Sequence, residues 1–410
     1  IGAGVVGVCC AYFLRETGRK VLLVDKEDIA AGSSYGNAGQ IVPGHCFPLS
    51  QPDNFSQVLR WLFNPESPFY IRPRMDIDLL SWLWRFHRAS NVNHRNKAMH
   101  VIRDLIMESR ELYRSFSEMD DMEFGLKMNG AMHIYSTENG FRHGKHEAQL
   151  VNNMGGIHSE FLNKNEVSSR LGVVTANIAG GIYYPEDAHL IPADFVKSLA
   201  IRFQTIGGDF LNSTLVQGFE RDDRKITAIK TSRGILQADE IIVATGSWTP
   251  NIIRELSIKV PIQAAKGYSL TYRRPVGIQE IPVLCGESRV AVTPMGDTLR
   301  FAGTLELVGL DSSINQRRVD AVARAPSKYI PEYDSTYMDL IEVWAGLRPV
   351  TPDGLSMLGR SPSFDNLILA AGHAMIGMAS GPASAKLITQ IITGEPTFMD
   401  VSLMDPARFG

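Results

Sequence analysis

Cysteine is scarce in this chain of 410 residues: only Cys9, Cys10, Cys46 and Cys285 are present. Four scattered thiols do not make a disulfide framework, and none shows the C-x-x-C or Cys/His spacing of a zinc site. No metal is expected, and a reducing, cytoplasmic location is. No uninterrupted apolar run reaches the roughly 18 residues of a membrane-spanning helix. An excess of one charge is lacking too. The 41 basic and 44 acidic residues leave a net charge of -3, which excludes nucleic acid as the partner of the whole chain. Internal repeats and low-complexity stretches are absent. What remains is an ordinary globular balance, 44% hydrophobic and 21% charged, in a chain long enough for two or three domains.

The chain opens on a motif rather than a signal peptide. Gly2, Gly4 and Gly7 form G-x-G-x-x-G. Val5 to Gly18 reads as a helix, and Lys20 to Val24 as a buried strand ending in Asp25. Each part has a task in dinucleotide binding. Gly2 permits the tight turn, Gly4 lets backbone approach a pyrophosphate, and Gly7 allows close helix–strand packing. The helix N-terminus favours phosphate, and Asp25 accepts from ribose hydroxyls. Such a motif needs a strand in front of it, so a few residues are expected to be missing before Ile1. There is no second G-x-G-x-x-G, so one dinucleotide is implied. The motif alone leaves NAD and FAD both open.

Four further segments narrow the choice. Ser33-Ser34-Tyr35-Gly36-Asn37-Ala38-Gly39-Gln40 follows the second strand. Asp239 to Trp248 contains a strand running into Thr245-Gly246. Gly346-Leu347-Arg348-Pro349-Val350-Thr351-Pro352-Asp353-Gly354 and Gly372-His373-Ala374-Met375-Ile376-Gly377-Met378 come last. In this order, and over nearly the whole chain, they resemble FAD-dependent D-amino-acid dehydrogenases of the small-subunit type, within the D-amino-acid oxidase and glycine oxidase superfamily. Lys266 to Leu270 strengthens the likeness.

The resemblance implies an α/β (α+β) fold: a Rossmann-like FAD-binding domain and a substrate domain on a mixed or antiparallel sheet. It places the former at 1–55, 187–260 and 341–410, and the latter at 56–186 and 261–340. The cofactor contacts implied are Gly2, Gly4, Gly7, Asp25, Lys26, Ser33, Ser34, Asn37, Ala38, Gly39, Gln40, Val216, Thr245, Gly246, Trp248, Gly346, Gly372, His373, Gly377 and Met378. Some relatives attach flavin to a cysteine, but none falls between Glu342 and Gly410 here, so the FAD is expected to be non-covalent.

Arg348 is expected to bind the substrate carboxylate, since a guanidinium makes bidentate bonds to carboxylate and stays charged. Tyr268 and His45 are expected beside it; a sheet tyrosine and a satisfied loop histidine are the plainer readings of these two. The implied reaction is oxidation of the CH–NH2 or CH–NH group of a D-amino or imino acid by hydride transfer to the flavin. The imino product hydrolyses to a 2-oxo acid and ammonia, and electrons pass to a quinone-type acceptor. A glycine, sarcosine or D-hydroxyproline oxidase or dehydrogenase stays open, as do an NAD-dependent dehydrogenase and a non-catalytic FAD-binding subunit.

Residues 55–103 stand apart in composition. They hold Trp61, Trp82 and Trp84, and Arg60, Arg72, Arg74, Arg85, Arg88, Arg95, Lys97 and Arg103 against Glu66, Asp76 and Asp78. Aromatic and cationic residues together suit the inner face of the cytoplasmic membrane or a partner subunit; a helical cap over the site is the plainer reading. His94 to Met119 reads as one long helix. Ala131–Tyr135, Ile182–Tyr184, Gly267–Tyr272, Arg289–Thr293, Leu299–Ala302 and Leu367–Ala371 read as strands. A helix is expected from Pro382 to Ile392, and Ile341–Ala345 as a strand ending before Arg348.

Overall fold

The glycines at the start of the chain lead into helix α1 (Val5–Glu16), behind an extended Gly4. Apolar residues on nearly every side bury it from Val5 to Tyr12. It ends where Gly18 takes φ +83°, a left-handed conformation that glycine adopts without strain. The structure is a computed structural model that describes residues 1–52, 69–72, 74–176 and 178–410. The other described helices are α2 (Ile77–Ala89), α3 (Val92–Ser117), α4 (Glu138–Asn152), α5 (Lys164–Leu171), α6 (Pro192–Thr205), α7 (Thr249–Ile252), α8 (Gln316–Arg324) and α9 (Gly377–Thr393).

Short parallel strands surround α1 and α9. β1 (Leu22–Val24) pairs with β8 (Asp209–Leu211), and β12 (Ile241–Val243) with β19 (Leu367–Ala371), which carries β18 (Met357–Arg360) on its other edge. Ile1 and Gly2 join the two groups. Gly2 donates to the Val24 carbonyl, Ile1 donates to Ile242, and Ala244 donates to Ile1. A meander of β9 (Val216–Asp222), β10 (Lys225–Thr231) and β11 (Gly234–Leu236) flanks them. β2 (Gln40–Ile41) pairs with β7 (Ala188–His189).

A nine-stranded mixed sheet forms the other half. Its order is β17 (Leu340–Val350), β13 (Gln263–Arg273), β16 (Thr298–Leu307), β15 (Val290–Met295), β14 (Val283–Cys285), β4 (Ala131–Tyr135), β6 (Gly180–Tyr184) and β5 (Glu160–Leu162), with β3 (Phe69–Ile71) paired to β16. Side chains alternate between its faces. On the back lie Tyr268, Leu270, Tyr272, Val292 and Phe301, packed with Val319 and Val322 of α8 into one apolar cluster. On the front, matched register aligns Gly346 with Gly267, Ser269 with Ala302, Ala302 with Ala291, Ala291 with Leu284 and Leu284 with His133. The front is therefore a floor of small residues.

Two elements differ from their expected limits, for physical reasons. β17 runs through Arg348 to Val350 because β13 pairs with it over that whole length, so the segment beginning at 341 first completes the large sheet. α9 starts at Gly377, with Pro382 inside it. Proline lacks an N–H and leaves the carbonyl four residues earlier without its helical donor. The α3 face settles this: the Tyr113 hydroxyl donates to the Met378 carbonyl at 2.6 Å, and the Ala383 N–H donates to Ser109 Oγ at 3.0 Å. Tyr113 and Ser109 belong to the buried stripe of α3 that also holds Ile102, Leu105, Ile106 and Phe116.

Candidate active site

One cavity of about 500 Å³ runs from the α1 turn to the floor of the large sheet. That is the size range of cofactor and small-molecule sites. Its nucleotide end is built by the three glycines. A Cβ on Gly2 (φ +105°) would lie 2.6 Å from the Ala244 carbonyl oxygen, and one on Gly7 would strike the Gly2 carbonyl. Gly4 differs: its Cβ would meet only Ser34 Oγ, at 3.3 Å, so the space in front of it is open to a ligand. Ser34 Oγ accepts from the Val5 N–H at 2.9 Å. Asp25 accepts from the Ala3 N–H at 2.6 Å and from the Glu27 N–H at 2.8 Å, which holds its carboxylate at the cavity with lone pairs to spare. Lys26 caps the Trp248 ring at 4.3 Å.

The segment from Ser33 to Gln40 is clamped onto the large sheet. Ser33 Oγ donates to the Leu347 carbonyl at 2.6 Å, and Gln40 Nε2 donates to Thr293 Oγ1 at 3.0 Å. Buried Arg300 donates to the Tyr35 and Asn37 carbonyls at 2.9 and 3.0 Å. Gly36 lies so close to the Trp344 ring that a Cβ would overlap it. Asn37, Ala38 and Gln40 are thereby presented to the cavity. Arg300, Trp344 and Thr293 escaped the sequence reading because their roles depend on strands far apart in the chain.

Arg348 stands on the front face. Its guanidinium extends across Gly267, where a Cβ would collide with it, and Nη1 donates to the Thr304 carbonyl at 2.6 Å. Thr304 has φ +67°, at a register shift between β13 and β16 that turns its carbonyl out of the ladder. Burial lowers the Arg348 pKa to about 10, and no acidic group offsets that among the described residues. A buried cation facing a cavity without an anion is a receptor for one.

Tyr268 is not beside Arg348. It occupies the alternate position on β13 and points to the back face, where its hydroxyl accepts from the Asn315 N–H at 3.3 Å near Glu306. Tyr268 also borders the cavity, while its side chain packs in the back-face cluster. His45 does line the cavity. Its ring lies 5.6 Å from His133 and 5.8 Å from Phe47, and burial holds it below its ordinary pKa. His373 lines the opposite wall, tied to Ser384 Oγ at 3.0 Å, and burial takes it down to about 4. Both rings are neutral near pH 7.

Of the expected cofactor contacts, Gly7, Gly39 and Gly372 do not line the cavity. Gly7 packs on Gly2, Gly39 (φ +70°) on the Leu190 carbonyl, and Gly372 (φ +81°) on Thr351. The remaining ones border it, including Gly377 and Met378 at the start of α9. His133 and Arg289 also line it and carried no sequence signal. Among the described residues, no group of His, Cys, Asp or Glu is arranged to hold a metal ion.

Comparison with known proteins gives this geometry a family. The family model described as "FAD dependent oxidoreductase" (DAO) matches residues 1–391. A D-amino acid dehydrogenase of Granulibacter bethesdensis is 31% identical over 424 residues, covering 100% of this chain and 98% of the relative. One from Helicobacter pylori is 30% identical, covering 95% and 93%. The fold matches glycine oxidase from Geobacillus kaustophilus with a TM-score of 0.80 at 20% identity, over 99% of this chain and 97% of that one. It matches L-proline dehydrogenase from P. horikoshii with a TM-score of 0.76 at 20% identity, over 100% and 96%. The glycine turn open at Gly4, the fixed Asp25 and the long cavity suit an extended dinucleotide, and the chain belongs to the DAO family of FAD-dependent oxidoreductases.

Proposed function

We propose that the chain oxidises the CH–NH2 or CH–NH group of D-amino acids or cyclic imino acids, giving imino acids that hydrolyse to 2-oxo acids. The observation that carries this reading is Arg348, half-buried at the cavity, with a carbonyl as its partner and no anion among the described residues. Its guanidinium pairs with the substrate carboxylate and fixes the Cα–H direction, a positioning effect of the kind that lowers barriers most. FAD, when bound, would accept the hydride, which carries both electrons, and the amine would lose a proton as the C=N bond forms. The substrate amine reacts as the neutral base, so the rate rises with pH through its ionisation. His45 lines the substrate end as a neutral wall. The name that these relatives carry, D-amino acid dehydrogenase, supports D-substrates in this reading.

In this reading residues 1–55, 187–260 and 341–410 bind FAD, with β17 shared with the substrate sheet formed by 56–186 and 261–340. The contacts bordering the cavity hold the cofactor without a covalent link, since no cysteine borders it. The acceptor is a quinone-type molecule met at the inner face of the cytoplasmic membrane. What supports this is the outer side of α2, where Ile77, Leu80 and Trp84 are exposed and Arg88 lies 4.8 Å over Trp84. Trp61, Arg60 and Glu66 of the same basic, aromatic segment lie outside the described residues. No described helix is long and apolar enough to cross a membrane.

The test is an anaerobic visible spectrum of the yellow protein, before and after addition of D-amino acids, D-hydroxyproline, glycine and L-amino acids. Bleaching by the D-compounds, with reoxidation by quinone faster than by air, is the expected result. A flavin that no amine bleaches refutes the substrate class. Liposome flotation tests the α2 surface; a protein that stays unbound on anionic vesicles and copurifies with a second subunit refutes the membrane assignment.

A further inference from the structure

A second cation faces the same cavity. Arg289 precedes β15 and lines the cavity, and its guanidinium makes no hydrogen bond or ion pair among the described residues. Its position is built rather than casual. The residue has φ +54°, unusual for a residue other than glycine, and its N–H donates to the Cys285 carbonyl at 2.8 Å. The nearest acid in sequence, Glu287, is committed elsewhere: it accepts from the Ser136 and Thr137 N–H groups and from the Tyr329 hydroxyl at 2.9 Å. Glu147 lies within electrostatic reach, yet its ion pair is with His143 at 3.5 Å, and it does not border the cavity. The walls beside Arg289 are His45 and His133, both kept neutral by burial.

The Arg348 guanidinium and the Arg289 backbone both reach one stretch of β16. Arg348 bonds to Thr304, and the Arg289 carbonyl lies 3.7 Å from where a Gly303 Cβ would stand. Between the two the floor is Gly267, Ala302 and Ala291, with no side chain large enough to interrupt it. Arg289 leads into β15, the strand beside β16, so a gap of one strand spacing, about 5 Å, separates the strand that Arg348 reaches from the one that Arg289 precedes. A dicarboxylic amino acid bound through its α-carboxylate at Arg348 spans that gap.

We propose that Arg289 binds the side-chain carboxylate of the substrate, so that the preferred substrates are acidic D-amino acids. This rests on the reading of Arg348 as the α-carboxylate site. The experiment uses the FAD-loaded protein with an artificial electron acceptor, and compares D-glutamate with D-glutamine, which differ only in that charge. A preference for D-glutamate in kcat/KM of about tenfold or more is expected, collapsing toward one in Arg289→Met and partly kept in Arg289→Lys. Calorimetry with glutarate and butyrate supplies a readout free of turnover: glutarate binds about tenfold tighter, and Arg289→Met abolishes the difference. Equal kcat/KM for D-glutamate and D-glutamine, or a preference unchanged in an FAD-replete Arg289→Met protein, overturns the proposal while leaving the oxidation of D-amino acids intact. If no D-amino acid reduces the flavin but the glutarate preference persists and depends on Arg289, the site stands and the activity assignment falls.

Discussion

Two arginines, Arg318 buried and Arg348 half-buried, face opposite sides of the nine-stranded sheet, and their partners differ. On the back, Arg318 of α8 pairs with Glu306 at 3.4 Å, both almost wholly buried, and stands 4.8 Å from the Tyr70 ring. On the front, Arg348 has the Thr304 carbonyl and no acid among the described residues. A buried cation that already holds its anion is part of the framework. One without an anion costs stability in the free protein and recovers it when a carboxylate arrives. The same strands supply both environments. On β13, Lys266 and Tyr268 sink into the back, where Lys266 Nζ donates to the Ser313 carbonyl at 2.8 Å, while Gly267 leaves room for Arg348 on the front.

Substitutions sharpen this contrast. The largest effect is expected for Arg348→Met, which removes the proposed carboxylate receptor: kcat/KM falls by about 10³, or about 4 kcal/mol, with FAD retained and the thermal midpoint unchanged or raised. Unaltered kinetics would place substrate elsewhere. Arg318→Met does the reverse. It strands the Glu306 carboxylate and lowers stability by about 3–5 kcal/mol, read as a drop in the urea midpoint. A variant as stable as the parent would mean that the back-face pair is not structural.

The neutral rings on the cavity side give a pH signature. The folded pKa of His373, about 4, lies below the unfolded value, so the unfolded chain takes up a proton first as pH falls through 6.5. Stability is therefore full above that range and declines down to about pH 4, on the order of 3 kcal/mol for this ring. His373→Asn flattens the decline in thermal midpoint; parallel curves for the two proteins would sink this assignment. Gly267→Ala comes next. The added methyl displaces the Arg348 guanidinium, the flexible end of a long side chain, and raises KM about tenfold without loss of FAD. The smallest effect belongs to Tyr268→Phe. Its hydroxyl serves the back face, so KM changes less than about threefold and stability falls by about 1 kcal/mol. A steep KM increase there would return Tyr268 to the substrate site.

The sequence by itself determined the parts whose chemistry is local. The spacing of Gly2, Gly4 and Gly7, the helix behind them and Asp25 after the next strand are set within one short βαβ stretch, and the folded turn uses each glycine for its own steric reason. The strands Ala131–Tyr135 and Leu367–Ala371 and the buried stripe of α3 follow from periodicity in the same way. Arg348 was legible because its neighbours resemble a family motif.

Only the tertiary structure decided what depends on register and on distant partners. Alternation along β13 says that Tyr268 and Gly267 face opposite ways; pairing with β16 and β17 decides which way is the cavity. Pro382 marks a helix start by propensity, yet Tyr113 and Ser109, far earlier in the chain, satisfy the backbone groups it frees and let α9 begin a turn sooner. Arg289, Arg300 and His133 gain their positions from strand order alone. A side chain's partners across a sheet are set by how strands from distant segments align, and no local pattern encodes that alignment.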